Sequence, residues 1–304
     1  MDIVWLRDFE ALVAQKNFSR AAEERNVSQP AFSRRIRALE DDIGVKLINR
    51  QTLPLSLTPA GEVFLSQARM MLRTYQETLD RCQKIDAAGG NVLRFATSES
   101  LYLTHFKTHI APLVEECGLD IDLNSTSWGA DQFVSALQQS YCDVILTYWH
   151  PSMDFLAPLE VSTCDYVTLT KDQIVPVARA GSEYALSGGK RNPVPLLSYG
   201  MASALRSVQD DLVHQQMGKI NIFTVNQNAL AISIKAMILE GFGMGWLPRR
   251  LCQEELNTGQ MEIVDETMSS ELEIRLYRGT ETLKPTLEKF WALLQARTAM
   301  TSKI

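Results

Sequence analysis

Apolar positions recur at helical spacing through the first ninety residues and shift to short alternating or continuous runs after that. Leu6, Phe9, Leu12 and Val13 step by three and four and predict a helix over 2–15. Ser19 is suited to cap a second helix over 20–25, whose Ala21 and Ala22 allow close packing. Asn26-Val27 reads as a tight turn. Ser28 is then a cap for a third helix with Pro30 in its first turn. On that helix Phe32, Ile36, Leu39 and Ile43 make one apolar stripe facing a small core, and Gly44 ends it. Residues 45–50 and 55–57 read as two strands around a turn at 51–54, a wing beside the helices.

Thr58-Pro59 is a helix start, a cap followed by a first-position proline. From there to about residue 88 no further proline intervenes. Leu65, Ala68, Leu72, Tyr75, Leu79 and Cys82 alternate three- and four-residue steps, a coiled-coil-like seam that a second copy of the chain would bury. Gly89-Gly90 makes a hinge. Beyond it, strands are predicted at 92–97, 119–123, 142–147, 167–179, 194–199, 220–225 and 271–278. Helices are predicted at 102–116, 131–139, 202–216, 228–240 and 285–297. Strand–helix alternation of this kind predicts parallel sheet covered by helices. The strands are too many for one small sheet, so two α/β lobes are expected, about 91–162 with 268–304 and about 163–267. The domains are then 1–58, 59–90 and 91–304.

Charge changes the picture only once it is divided. The 304 residues carry a formal net charge of -6, which by itself argues against a nucleic-acid partner. Residues 1–90 hold 13 Lys+Arg against 12 Asp+Glu, and the other 214 hold 17 against 24. The acidity belongs to the C-terminal part, whereas Arg34, Arg35 and Arg37 fall on one turn of the third helix. Pro30, Ser33, Arg34 and Arg37 lie within about 100° on a helical wheel. A short helix, a tight turn and a capped basic helix form a helix-turn-helix whose last helix enters the major groove. Gln29 and Ser33 suit base edges, Arg34 and Arg37 suit phosphates or guanine edges, and Arg50 of the wing suits a phosphate or the minor groove. The same polar face also suits an ordinary solvated helix.

In an α/β fold, ligands sit at the C-terminal ends of strands. The polar residues expected there are Ser98, Ser100, Thr126, Ser127, Tyr148 and Trp149, with Tyr199, Ser203 and Asn226 from the second lobe. Each of them also suits a helix cap or a loop. Arg206 is the nearest cation for an anionic ligand, and Glu99 and Asp131 favour a cationic or zwitterionic one. The segment 241–248 lacks the spacing of a phosphate loop and reads as a tight strand passing near the cleft. His105 and His109 are spaced i,i+4 without the glutamate of a zinc peptidase motif, so no metal site is expected, and no cofactor motif is present. Five widely separated cysteines, at 82, 117, 142, 164 and 252, read as free thiols of a reducing compartment. No apolar stretch approaches 18 residues, and residues 1–5 lack the features of a signal peptide, so a membrane partner is not expected. No nucleophile–base pair suggests an enzyme.

Ala21-Ala22, the run at 28–36, Leu39-Glu40, Gly44, Leu47, Arg50 and the run at 57–61 resemble the signature of LysR-type transcriptional regulators over residues 3–65. The remainder is similar to that family's effector domain, with Gly241, Gly243, Gly245 and Leu247-Pro248 near their usual place. The resemblance implies a winged helix-turn-helix, a long linker helix and a two-lobed effector domain like a periplasmic binding protein. It implies a cytoplasmic homodimer, or a tetramer built as a dimer of dimers. Such a regulator binds double-stranded DNA at a pseudo-palindromic promoter site, contacts RNA polymerase and answers to a small molecule. Trp5 and Arg34-Arg35 are also similar to the branch holding the hypochlorite-responsive regulator of enteric bacteria. By approximate registration, Leu113, Leu205 and Leu230 stand where that relative has its sensing methionines, a departure from oxidation-based sensing. Three alternatives stay open: an oxidant-responsive regulator of the same fold, an enzyme fused to a DNA-binding module, and an adaptor.

Overall fold

The computed structural model describes residues 1–52, 54–87, 91–124, 128–161, 164–182, 184, 193–216, 220–279 and 285–301. Contacts divide the chain into two compact units, Met1–Gly90 and Asn91–Ile304. The predicted hinge glycines lie outside the described residues.

In the first unit, helices α1 (Ile3–Gln15), α2 (Phe18–Glu24) and α3 (Gln29–Ile43) surround a core of Leu6, Phe9, Leu12, Phe32, Ile36 and Leu39, each at most 1% exposed. The second helix is capped by Asn17 rather than Ser19. The Asn17 side chain accepts from the Ser19 and Arg20 amides, and Phe18 becomes the first helical residue. Ser28 holds the cap position of α3 in extended conformation but makes no side-chain cap bond. Gly44 terminates α3 at φ 79°, a left-handed conformation that costs glycine nothing.

The wing is shorter than the sequence predicts. Only β1 (Ile48–Asn49) and β2 (Ser56–Leu57) pair, antiparallel, because the Leu47 and Ile48 amides bond the Glu40 carboxylate instead of a strand. Helix α4 (Pro59–Ala87) begins where Thr58 Oγ1 accepts from the Gly61 amide and donates to the Lys46 carbonyl. A Cβ at Gly61 would collide with the Leu47 carbonyl, so glycine lets the helix start against the wing. The predicted seam divides in two. Ala68 is buried, and Leu65 and Leu72 pack on the first unit's own core, while Tyr75 and Leu79 stay exposed.

The second unit starts with β3 (Val92–Thr97) and a continuous helical run of α5 (Glu99–Leu101), residues Tyr102–Ile110 and α6 (Ala111–Cys117). Hydrogen bonds widen to i→i+5 over Tyr102–Ile110, just before Pro112, which has no N–H to continue an ordinary ladder. Then follow β4 (Asp120–Asn124), α7 (Ala130–Gln138), β5 (Val144–Trp149), α8 (Ala157–Val161) and the sixteen-residue β6 (Cys164–Arg179). Next are β7 (Val194–Tyr199), α9 (Arg206–Gln215), β8 (Ile222–Asn228), α10 (Ala231–Leu239) and β9 (Gly245–Pro248). The unit closes with α11 (Gln253–Asn257), β10 (Met261–Ile263), β11 (Ser270–Gly279) and α12 (Pro285–Thr301).

The main sheet runs β10-β6-β11-β5-β3-β4, with β9 also on β6. Only β4, β3 and β5 are parallel within it, so the expected all-parallel sheet is corrected to a mixed one. The cause is β6 and β11, which run antiparallel along ten paired positions. Up to Ile174, β6 pairs with β11; from Ile174 to Arg179 it pairs with β9 and β10. One strand therefore serves two lobes. The second lobe is completed by the parallel pair β7–β8, tied to β9 through a Leu196–Met244 bridge.

Candidate nucleic-acid interface and ligand pocket

In the first unit the polar face of α3 is built from beneath. Asp8 is fully buried and binds Arg25 Nε at 2.8 Å and Arg35 at 3.3 Å. Glu40, 1% exposed, accepts from the Leu47 and Ile48 amides at 3.0 and 3.2 Å and binds Arg50 at 3.1 Å and Lys46 at 3.4 Å. A buried carboxylate is tolerated only when paired and hydrogen-bonded. These two therefore fix four of the unit's cations in place. Arg34 and Arg37 are exposed and make no ion pair with a described residue. Gln29 and Pro30 are exposed beside them, and Ser33 is half-buried. The three-arginine turn expected from the sequence thus presents two free guanidinium groups and one that is tied down. Arg50 also lies 5.5 Å over the Phe18 ring, so the wing arginine is oriented rather than free. Arg37, Lys46 and Arg50 line an open groove between α3 and the wing.

In the second unit a cavity of about 60 Å³ lies between the two lobes. Of the residues expected there, the structure brings together Ser98, Ser100, Tyr148 and Ser203. Ser98 Oγ and Ser100 Oγ are 3.2 Å apart, and the buried Tyr148 hydroxyl donates to Ser100 Oγ at 3.3 Å. Burial raises the Tyr148 phenol above its ordinary pKa. Tyr148 was expected after its strand but lies inside β5, two residues later than predicted.

The same shift carries Trp149 away from the cavity. Its ring lies 3.5 Å from the Arg275 guanidinium, and its indole donates to Glu160. Tyr199 is wholly buried at the end of β7, outside the cavity lining. Asn226 lies within β8, exposed, beside Val225 and Phe242 on another part of the surface. Arg206 pairs with Asp210 and does not line the cavity. The strand at 245–248 is buried against β6 rather than at the cleft. Thr126 and Ser127 lie outside the described residues. The sequence does not single out the lining residues Trp128, Phe133, Leu146, Thr147 and Ile232 or the lining alanines, and of these only Thr147 is polar. Their signal was positional, since Ala130 and Ala231 open helices directly after strand-end loops. Leu205 and Leu230 also line the cavity, and Leu113 sits in the core.

His105 and His109 stack with ring centroids 5.9 Å apart on the wide-turn helix. Burial, then Arg250 and His109, push His105 down to about 3. Among the described residues no group of three or more His, Cys, Asp or Glu side chains gathers as a metal site. No described helix is long and apolar enough to cross a membrane.

A winged helix-turn-helix with uncompensated arginines on its recognition helix, followed in one chain by a two-lobed α/β unit, defines a DNA-binding regulator. Comparison with known proteins agrees. Residues 3–62 match the bacterial regulatory helix-turn-helix proteins of the LysR family, and residues 88–299 match the LysR substrate binding domain. The chain belongs to the LysR family of transcriptional regulators. The Escherichia coli regulator YjiE is 32% identical over 96% of this chain and 93% of its own length. Full-length HypT of Salmonella typhimurium, described as a hypochlorite-specific LysR-type regulator, is 28% identical with a TM-score of 0.69, covering 98% of this chain and 99% of its own. Vibrio fischeri DarR, solved in complex with DNA, is 28% identical with a TM-score of 0.61, covering 97% of this chain and 98% of its own.

Proposed function

We propose that this regulator reads a promoter site of dyad symmetry as a homodimer, or as a dimer of dimers, in the bacterial cytoplasm. Gln29, Pro30, Ser33, Arg34 and Arg37 meet the major groove, and Arg50 meets the adjacent backbone or minor groove. The observation that carries this reading is the pair of exposed, unpaired guanidinium groups on α3, in a unit whose neighbouring cations are held by buried carboxylates. Dimerisation is assigned to α4. Ala68 is buried and Leu65 and Leu72 are partly buried against the unit's own core, so Met71, Tyr75 and Leu79, spaced by four and exposed, carry the stripe for the partner.

A small molecule in the interlobe cavity shifts the assembly between two states by binding one of them better. RNA polymerase is the partner downstream of that shift. The chain acts as a binding protein and not as an enzyme. Oxidant sensing in the cavity is less well supported, because no methionine or cysteine lines it among the described residues. Burial also pushes the Cys252 thiol up to about 12, away from a reactive thiolate. Electrophoretic mobility shifts on the regulator's own upstream region test the reading. Binding well above that of a random duplex at moderate salt is expected, and equal binding of both defeats it.

A further inference from the structure

The two buried carboxylates of the first unit hold cations in different places. The cations on Asp8, Arg25 and Arg35, do not line the groove between α3 and the wing. Those on Glu40, Lys46 and Arg50, do line it, with Arg37 beside them. The Glu40 side chain is wholly buried. Its Oε1 accepts from the Leu47 and Ile48 amides, where the wing begins. Its Oε2 takes Arg50 at 3.1 Å and Lys46 at 3.4 Å. Glu40 belongs to α3, about one turn beyond Arg37. One carboxylate therefore ties both the backbone and the arginine of the wing to the recognition helix.

Arg50 is held by this bond and by the Phe18 ring 5.5 Å away, yet its side chain stays 35% exposed on the groove. A guanidinium has five N–H donors, so the bond to Glu40 leaves others for a phosphate. Phosphate contacts fix the register of a protein on a duplex, and a wing and a helix act together only when their spacing is fixed. A loose cation behaves differently, since it binds the phosphates of any sequence.

We infer that Glu40 is a positioning residue for sequence specificity: it fixes Arg50 relative to Arg34 and Arg37, so that the wing makes its contact only where the recognition helix is seated on its site. Glu40 also cancels one charge of the wing that would otherwise attract every duplex alike. This rests on the reading of Arg50 as a DNA contact. Glutamine at position 40 keeps a carbonyl oxygen for the two amides, but turns an NH2 donor toward Arg50 and Lys46 and releases both.

The test is fluorescence anisotropy of the full-length protein on a duplex from its upstream region and on a random duplex, over a range of salt. In Glu40→Gln the ratio of the two affinities should fall at least about tenfold. Binding to the random duplex should hold or strengthen, and its salt slope should steepen by about one per protomer. The fall in the ratio should shrink to within about threefold in the Arg50→Ala background. Circular dichroism at the assay temperature checks the fold. Arg50→Lys leaves Glu40 and its amide bonds in place and carries the test if Glu40→Gln does not fold. It keeps the charge but not the planar fork, so its ratio should also fall. A parental ratio in Arg50→Lys means that charge alone suffices and overturns the assignment. Arg50→Ala with parental affinity for both duplexes removes Arg50 from the DNA, and with it the reading underneath. Arg50→Ala that weakens specific binding while Glu40→Gln keeps the parental ratio removes Glu40 alone. A loss in Glu40→Gln that is as large in the Arg50→Ala background means that Glu40 acts through the fold, and it too overturns the assignment.

Discussion

The two units use the same side chain to opposite ends. In the second unit Arg94 is locked to Asp143 at 2.6 Å, Arg275 to Glu273 at 2.7 Å, and Arg278 to both Asp165 and Glu288. Arg275 and Arg278 also lie over the aromatic rings of Trp149 and Trp291. These three arginines are structural, and their charge is cancelled where they stand. In the first unit buried Asp8 and Glu40 hold Arg25, Arg35, Lys46 and Arg50, while Arg34 and Arg37 make no ion pair with a described residue. Net charge is therefore a poor guide to the partner. What matters is whether the arginines that face outward already have carboxylates.

The largest effect should come from breaking a cancelled pair. Asp143→Ala removes the acceptor of the Arg94 amide, Nε and Nη2 and leaves the half-buried guanidinium only the Ser140 carbonyl, and should destabilise the second unit by about 3 kcal/mol in denaturant unfolding. The first unit's transition should not move. A shift of under about 0.5 kcal/mol would show that the pair is only decorative.

Acid offers a second way to distinguish the units. His105 has a folded pKa of about 3 against an ordinary 6.5. The unfolded chain binds the extra proton between those values, so stability is complete above pH 6.5 and falls as the pH drops. The slope for this one group is about 1.4 kcal/mol per pH unit. Denaturation midpoints at a series of pH values should show the second unit weakening below pH 6.5, with the dependence reduced in His105→Gln. A variant as acid-sensitive as the parent would remove His105 from the explanation.

Next in size are the free cations. Arg34→Ala or Arg37→Ala should each weaken DNA binding by about 1–3 kcal/mol without loss of folding. The smallest effect is expected at the neighbour. Arg35→Ala should change DNA affinity by no more than about threefold, because Arg35 faces Asp8, and should cost about 1 kcal/mol of stability. If Arg35 matters to DNA as much as Arg34, the division into free and tied arginines is wrong.

Much of the first unit was legible because its periodicity and its function share one helix. The stripe of Phe32, Ile36 and Leu39 fixes which side of α3 faces the core, and so which side is left for Arg34 and Arg37. Local propensity could not show that Glu40, seven residues before Leu47, would take the amides that Leu47 and Ile48 otherwise lend to a strand. Nor could it show that Asp8 would claim Arg35 from a distance of 27 positions. The cavity was only half legible. Ser98, Ser100 and Ser203 follow from strand ends, but a two-residue error in β5 was enough to misplace Trp149. The apolar wall gave no chemical signal, since alanines and leucines read alike in a core and in a cavity.

The central claim is that DNA is met by the two arginines of α3 that no described carboxylate holds. Fluorescence anisotropy of the full-length protein on a duplex from its upstream region, over a range of salt, measures this directly. In the Arg34→Ala/Arg37→Ala double variant, the slope of log affinity against log salt should fall by about four for a bound dimer, about two from each protomer, with thermal unfolding unchanged. An unchanged slope with undiminished affinity would contradict the account.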